Sequence, residues 1–263
     1  MRPLAQFPDD HRRTIRGVLL DIDDTLTTDG RLTADAYGAM ERLQQAGKLV
    51  VPVTGRPAGW CDHMARMWPV DAIVGENGAF YFRYDHGARH MARCYHAAAE
   101  EIAVNRQKLL EIGAGIIAAV PGSAIAADQA YRETDLAIDF CEDVPALDRA
   151  AIDDIVERMA AADLTAKVSS IHVNGWFGDY DKLSMVRRLF DEVFGINLDT
   201  AKSDYVFVGD SPNDQPAFAY FPHAVGVANV RDFADQLTAP PTYVTDGDAG
   251  AGFTELADFL LRD

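Results

Sequence analysis

The stretch Val18-Leu19-Leu20-Asp21-Ile22-Asp23-Asp24-Thr25-Leu26-Thr27 decides how this chain is read. Val18 to Leu20 is an apolar run that reads as a buried strand. It ends in Asp21, with Asp23 and Thr25 following at two-residue intervals. Period two puts Asp21 and Asp23 on one side for as long as the backbone stays extended. Carboxylates at the end of a buried strand are costly unless a cation or hydrogen-bond donors meet them. The carboxyl ends of strands are also where open α/β sheets bind their ligands. Alone, the stretch reads equally well as a strand ending in an acidic turn, so the rest of the chain has to decide.

The 263 residues suffice for one large domain or two ordinary ones, and a hydrophobic fraction of 48% supplies a real core. The net charge of −17 repels nucleic acid and anionic membrane, so neither is an expected partner. An anionic small molecule would need local positive charge, supplied by side chains or by a metal. Cys61, Cys94 and Cys141 have no metal or redox spacing and read as reduced thiols of a cytoplasmic protein. Met1 to Arg16 is polar and charged, unlike a signal peptide. The uncharged run Ile112 to Ala127 is broken by glycine and Pro121, and falls short of the roughly 20 residues a membrane span needs.

Residues 1 to about 13 read as a loose arm. Thr33 caps a helix to about Ala46, with Tyr37, Met40 and Leu43 on one face and Gly47 as its stop. Strands follow at 49–53 and 71–74, with a helix from about Gly59 to Met67 between them. Alternation of this kind implies βαβ units and a parallel sheet. The pattern then changes. A hairpin over 79–84 and 90–96 turns at Asp85-His86-Gly87. Beyond it come a helix over 97–112, strands at 116–120 and 136–141, a periodic helix over 147–162 and a strand at 168–173. Alternation resumes with a helix from Lys182 to Phe194, strands at 205–208, 224–227 and 243–244, and a last helix over 253–261. The fold class expected is α/β: a Rossmann-like parallel-sheet core, formed by 1–96 and 178–263, with an α+β module inserted at 97–177.

Four points fall at strand ends or helix starts that such a sheet would bring to one edge. They are Asp21/Asp23/Thr25, Thr54-Gly55-Arg56, Lys182, and Asp210/Asp214. Several carboxylates this close call for a counter-ion, and hard oxygen ligands favour Mg²⁺ over zinc. Mg²⁺ with a lysine would attract phosphate despite the global charge. Each residue also has a bland reading: Thr54 as a helix cap, Lys182 as a solvated charge, Asp210 and Asp214 as loop acids, Arg56 as a solvated side chain or a bridge to the insert. A lysine at a helix start opposes the helix dipole, which favours a functional reason for Lys182.

This constellation resembles the haloacid dehalogenase superfamily of aspartate-nucleophile phosphohydrolases. Asp21-Ile22-Asp23-Asp24-Thr25 matches the first motif, Thr54 the second, Lys182 the third and Gly209-Asp210-Ser211-Pro212-Asn213-Asp214 the fourth. The order agrees, and the resemblance spans roughly residues 17 to 260. An α+β insert between the second and third motifs looks like the type II cap of the Cof-like branch, which includes many sugar phosphatases. Asn77-Gly78-Ala79 is also similar to that branch, whereas Asp24 stands where many of its members have glycine.

The resemblance implies that Asp21 is the nucleophile and Asp23 the general acid and base. It implies Mg²⁺ held by Asp21, the Asp23 carbonyl and Asp210, with Asp214 supporting bound waters or Lys182. Thr54, the Gly55 N–H and Lys182 would meet the phosphoryl oxygens, and Asn213 would orient phosphate or metal ligands. The substrate implied is a small phosphorylated metabolite, most readily a sugar phosphate. A phosphomutase, a receiver-like signalling module and a non-catalytic sugar-phosphate sensor remain as alternatives. In the insert, His172 reads as structural and Trp176 as core or a sugar platform. Arg83, His86, Arg89, His90, Arg93 and His96 form a basic stripe on the hairpin, either solvated or attracting anions. Oligomeric state is not legible.

Overall fold

The structure, a computed structural model, describes residues 1–169 and 171–262. In chain order its elements are β1 (Arg2–Pro3), α1 (Asp9–Thr14), β2 (Gly17–Leu20), α2 (Ala34–Gln45), β3 (Leu49–Pro52), α3 (Ala58–Met67), β4 (Ile73–Gly75), β5 (Phe80–Asp85) and β6 (His90–Tyr95). Next come α4 (Ala99–Ala119), β7 (Ala124–Ile125), β8 (Asp135–Asp139), α5 (Arg149–Ala161), β9 (Thr165–Val168) and β10 (His172–Trp176). The chain ends with α6 (Lys182–Phe194), α7 (Leu198–Ala201), β11 (Tyr205–Gly209), α8 (Gln215–Tyr220), β12 (Val225–Gly226), β13 (Tyr243–Val244) and α9 (Ala249–Leu260).

Among the described residues the main sheet runs β1-β13-β12-β11-β2-β3, and its pairs are parallel. Its central strands are apolar and buried on both faces, as crossover helices on each side require. Val18 and Leu20 face α2 and α9, while Leu19 joins Phe207 and Val51 against α6 and α8. The expected α/β class and Rossmann-like sheet are therefore found. A parallel bridge between Val53 and Val74 carries the sheet onward to β4, from which β5 and β6 continue antiparallel. The hairpin thus extends the core sheet.

Between residues 99 and 176 the chain builds a second, antiparallel sheet in the order β7-β8-β10-β9. Leu109, Ile116, Ile155 and Met159 of α4 and α5 pack with Leu136, Ile138 and Val173 of this sheet in a core of their own.

Three expectations are corrected. Residues 116–120 are not a strand: α4 runs on through Ala119, and Ile116 is one of its buried residues. Gly113 is a packing residue. A Cβ there would lie 2.7 Å from Ile125 and 2.8 Å from Leu136, so the glycine lets helix and sheet approach. The single strand expected at 168–173 is two strands, with Ser169 N–H donating to the His172 carbonyl at 2.8 Å across their turn. Ser170 within that stretch, like Asp263, lies outside the described residues. The first residues are not a loose arm: β1 pairs with β13, and Leu4 and Phe7 are buried against Tyr243 and α9.

Candidate active site

Leaving β2, the backbone keeps one more sheet bond, Asp21 N–H to the Val208 carbonyl at 3.0 Å, and then turns. That turn needs a left-handed residue at Asp24 (φ 56°), which explains why glycine suits the position. Aspartate is among the few other residues that accept such a backbone. The parallel register sets β11 beside β2, so Asp210 emerges next to Asp21, and Thr25 donates to Asp210 at 3.2 Å.

Lys182 reaches the same point from the first turn of α6. Asp181 caps that helix, accepting from Ser184 N at 2.7 Å, and Ser184 Oγ returns a bond to the cap at 3.1 Å. The Lys182 ammonium bonds Asp21 at 2.7 Å and Asp214 at 3.3 Å. Burial works against its charge, but the two carboxylates outweigh burial and hold its pKa above the usual value. The other oxygen of Asp214 accepts from Asp210 N at 3.1 Å, which ties Lys182 to the fourth motif.

Asp21, Asp210 and Asp214 are buried, each offering an oxygen within 4.8 Å of the others. Burial pushes Asp21 up to about 7 despite Lys182. Burial, then the charges of Asp214, Asp21 and Asp24, push Asp210 up to about 9. One ammonium does not neutralise three buried carboxylates, so the pocket is short of positive charge. An all-oxygen donor set with that deficit fits a hard divalent cation such as Mg²⁺.

Thr54, which follows β3, is fully buried, and its hydroxyl accepts from Arg56 N at 3.0 Å rather than capping α3. Gly55, Asn77 and Asn213 line the cavity above Asp21. Arg56 is nearly buried. Its guanidinium donates three hydrogen bonds of 2.8–3.0 Å to Asp23 and two of 3.2 Å to Glu142, lies 3.7 Å from Asp128 and stacks over Trp60 at 4.7 Å. Of the two readings of Arg56 in the sequence, the bridge to the insert is the one found.

Sequence reasoning missed most of the insert's contribution. Glu142 is pulled down to about 2, first by His172, whose Nε2 lies 2.9 Å away, and then by Arg56. Arg132 is buried between Asp128 and Asp135 and donates to the Gly55 carbonyl at 3.0 Å. Glu76, in the left-handed region (φ 42°), accepts from Ala58 N at 2.9 Å, Glu133 N at 3.0 Å, Thr134 N at 2.6 Å and the Thr134 hydroxyl. Arg132 has local partners in Asp128 and Asp135, but what links these three residues to the site lies 18 or more positions away: Arg56 for Glu142, Gly55 for Arg132 and Ala58 for Glu76. His172 lines the cavity together with Arg132 and Asn174. Trp176 is core, stacked on Tyr180 at 5.5 Å. None of the six residues of the basic stripe lines the cavity, and Arg93 is paired with Asp62 at 2.6 Å.

Residues 18–112 match the family of haloacid dehalogenase-like hydrolases. The whole fold matches solved structures. One, from Thermoplasma acidophilum (protein 0175), has TM-score 0.69 and 18% identity, over 94% of this chain and 98% of that one. The HAD subclass IIB sugar phosphatase BT4131 matches with TM-score 0.61 and 14% identity, over 92% and 98%. The sucrose-phosphatase of Synechocystis sp. PCC6803, solved with sucrose and phosphate, matches with TM-score 0.62 and 15% identity, over 94% and 98%. Comparison with curated protein sequences gives no match. The family match takes in the first two of the four motifs, Asp21 to Thr25 and Thr54, and the solved structures bear out the expected fold. No helix among the described residues is long and apolar enough to cross a membrane.

Proposed function

We propose that the protein is a Mg²⁺-dependent phosphomonoesterase acting on a small phosphorylated metabolite, most simply a sugar phosphate, in a reducing cytoplasm. The observation that carries this reading is the Lys182 ammonium held between Asp21 and Asp214, beside Asp210, at the carboxyl edge of the parallel sheet.

The Asp21 carboxylate attacks phosphorus, a new P–O bond forms to it, and the bond to the alcohol oxygen breaks. Asp23 delivers a proton to that oxygen, then takes one from the water that cleaves the aspartyl-phosphate and returns Asp21. Lys182, the Gly55 N–H and Thr54 meet the phosphoryl oxygens, whose charge is spread in the transition state. Asp21, Asp210 and the Asp23 carbonyl hold the cation, with Asp214 steadying Lys182 and the loop beneath. When bound, Mg²⁺ supplies charge neutralisation at the phosphoryl group. The α+β insert acts as the cap. Arg56 donates twice to Asp23 Oδ1 and once to Oδ2, so Oδ2 keeps a lone pair through which a proton can pass.

Incubation with hexose phosphates and Mg²⁺ tests the reading. Inorganic phosphate should appear, and chelation should abolish its release. An isomeric hexose phosphate in its place would assign a phosphomutase. Asp23→Asn with p-nitrophenyl phosphate should give a stoichiometric burst of p-nitrophenolate and then slow turnover, because the first step needs little acid and the second still lacks its base. Asp21→Asn should give no burst.

A further inference from the structure

The turn after β4 carries two features that the phosphatase reading leaves unused. The first is its backbone. Glu76, Asn77 and Gly78 follow one another in the left-handed region, with φ of 42°, 57° and 106°. Backbone of this kind costs free energy and persists only where its surroundings over-determine it. Here the run is wedged between two segments of the site. Asn77 N–H donates to the Thr54 carbonyl at 3.1 Å, and a Cβ on Gly55 would lie 3.1 Å from the Asn77 side-chain oxygen and 3.2 Å from its nitrogen. On the other side Gly78 abuts the Asp181 carbonyl and Lys182 N.

The second feature is the Asn77 side chain. Its Nδ2 is buried and has no hydrogen-bond partner among the described residues. A buried amide without an acceptor is costly, and asks for an explanation. Asparagine tolerates a left-handed backbone, but so do glycine and aspartate, so the turn alone does not require a carboxamide. Asn77 stands in the wall of the cavity over Asp21, beside Gly55, whose N–H also lacks an acceptor among the described residues. Asn77 and Lys182 together line an adjoining space. Two unmet donors next to an ammonium suit the oxygens of an anion. We propose that Asn77 is a substrate-binding residue whose Nδ2 donates to a phosphoryl oxygen, beside the Gly55 N–H and Lys182. Water can serve the amide between turnovers, and the phosphoryl oxygen displaces it. The bond strengthens as charge spreads over the phosphoryl oxygens in the transition state. The inference rests on the phosphatase reading and adds to it a donor that the four motifs do not contain.

Asn77→Gly and Asn77→Asp separate this role from support of the turn, because both residues accept the left-handed backbone. Glycine removes the amide and leaves room for a water. Aspartate keeps the shape but sets a carboxylate against the phosphoryl group. The readouts are kcat/KM with p-nitrophenyl phosphate and Mg²⁺, and inhibition by orthovanadate, which takes up the five-coordinate geometry of phosphoryl transfer. Asn77→Gly should lose about 10- to 100-fold in kcat/KM, with vanadate inhibition weakened in parallel, and Asn77→Asp should lose more. A residue that only supports the turn predicts the reverse order, with the isosteric aspartate the milder change, and that order overturns the inference. So does an Asn77→Gly protein whose turnover or vanadate inhibition stays within about twofold of wild type. Circular dichroism checks that both variants are folded. Should aspartate prevent folding, the glycine variant decides by the same twofold limit. A wild type that releases no phosphate from the ester would instead overturn the phosphatase reading.

Discussion

Arg56 holds Asp23 in a three-bond grip, with its Nη2 2.8 Å from Asp23 Oδ1, while the same guanidinium reaches Glu142 of the insert. One side chain therefore joins the proposed acid–base group to the structure that covers it. Asp23, Glu142 and Asp128 surround this cation, and burial alone would disfavour its charge. Arg56→Ala leaves those carboxylates facing one another. It should cost on the order of 2 kcal/mol, discounted because Asp23 and Glu142 are partly solvated, whereas Arg56→Lys, which keeps charge but not the fork, should cost less. Urea denaturation of the two variants measures this. Equal stability of Arg56→Ala and wild type would show that the grip contributes nothing to the fold.

Lys182→Ala should lower turnover by on the order of 10²–10³, because it removes a preorganised donor that meets charge developing in the transition state. Secondary structure should survive: the Asp181–Ser184 cap that starts α6 is independent of the ammonium, and the buried acids can take up protons. Circular dichroism and steady-state kinetics check the two halves of the statement, and a near-normal rate would reduce Lys182 to a structural charge.

Gly78 has φ 106°, and a Cβ there would overlap the Asp181 carbonyl group and come within 2.7 Å of Lys182 N. Gly78→Ala should destabilise the protein by on the order of 3 kcal/mol, from backbone strain and forced separation together. It should also lower activity, because the displaced segment carries Lys182. A thermal-unfolding midpoint equal to that of wild type would contradict this account of the contact.

Asp21 and Asp210, with ordinary values of 3.8, are pushed up to about 7 and about 9 in the folded protein. A carboxyl raised on folding contributes stability that is complete below its ordinary value and is lost as pH rises through the folded value. The metal-free protein should therefore lose stability from about pH 4 to about pH 9, most steeply up to about pH 7, where both carboxyls contribute. Mg²⁺ binds the ionised forms and must displace those protons, so the stabilisation it gives should widen over the same window. Unfolding curves with and without Mg²⁺ read the gap directly. A gap that does not change with pH would mean that these carboxyls are already ionised without metal.

The core and the residues gathered at its sheet edge were legible because they leave local marks. An apolar run that ends in Asp21, and another that ends in Gly209-Asp210, can be read without knowing what packs beside them. The same holds for Lys182 at a helix start. The insert's role at the site was not legible. Glu142 becomes a partner of Arg56 only when residues 86 apart are folded together, and Arg132 meets the Gly55 carbonyl across 77. Gly113 shows a related limit: its use is close contact with Ile125 and Leu136, which only the folded sheet brings to it. Leu4 and Phe7 were too few and too irregular to announce the edge strand that they anchor.

The chain passes out to the insert just after β6 and returns just before α6, and the rings of His96 and Tyr180 at these two crossings lie 4.9 Å apart. A segment that departs and comes back at one spot can be exchanged as a cassette without altering the register of β2, β3 or β11. Asp21, Lys182, Asp210 and Asp214 all belong to the part left behind. Lineages that retained this core could therefore acquire new chemical preferences by replacing one continuous stretch of gene, with selection acting on the replacement while the reaction itself stayed in place.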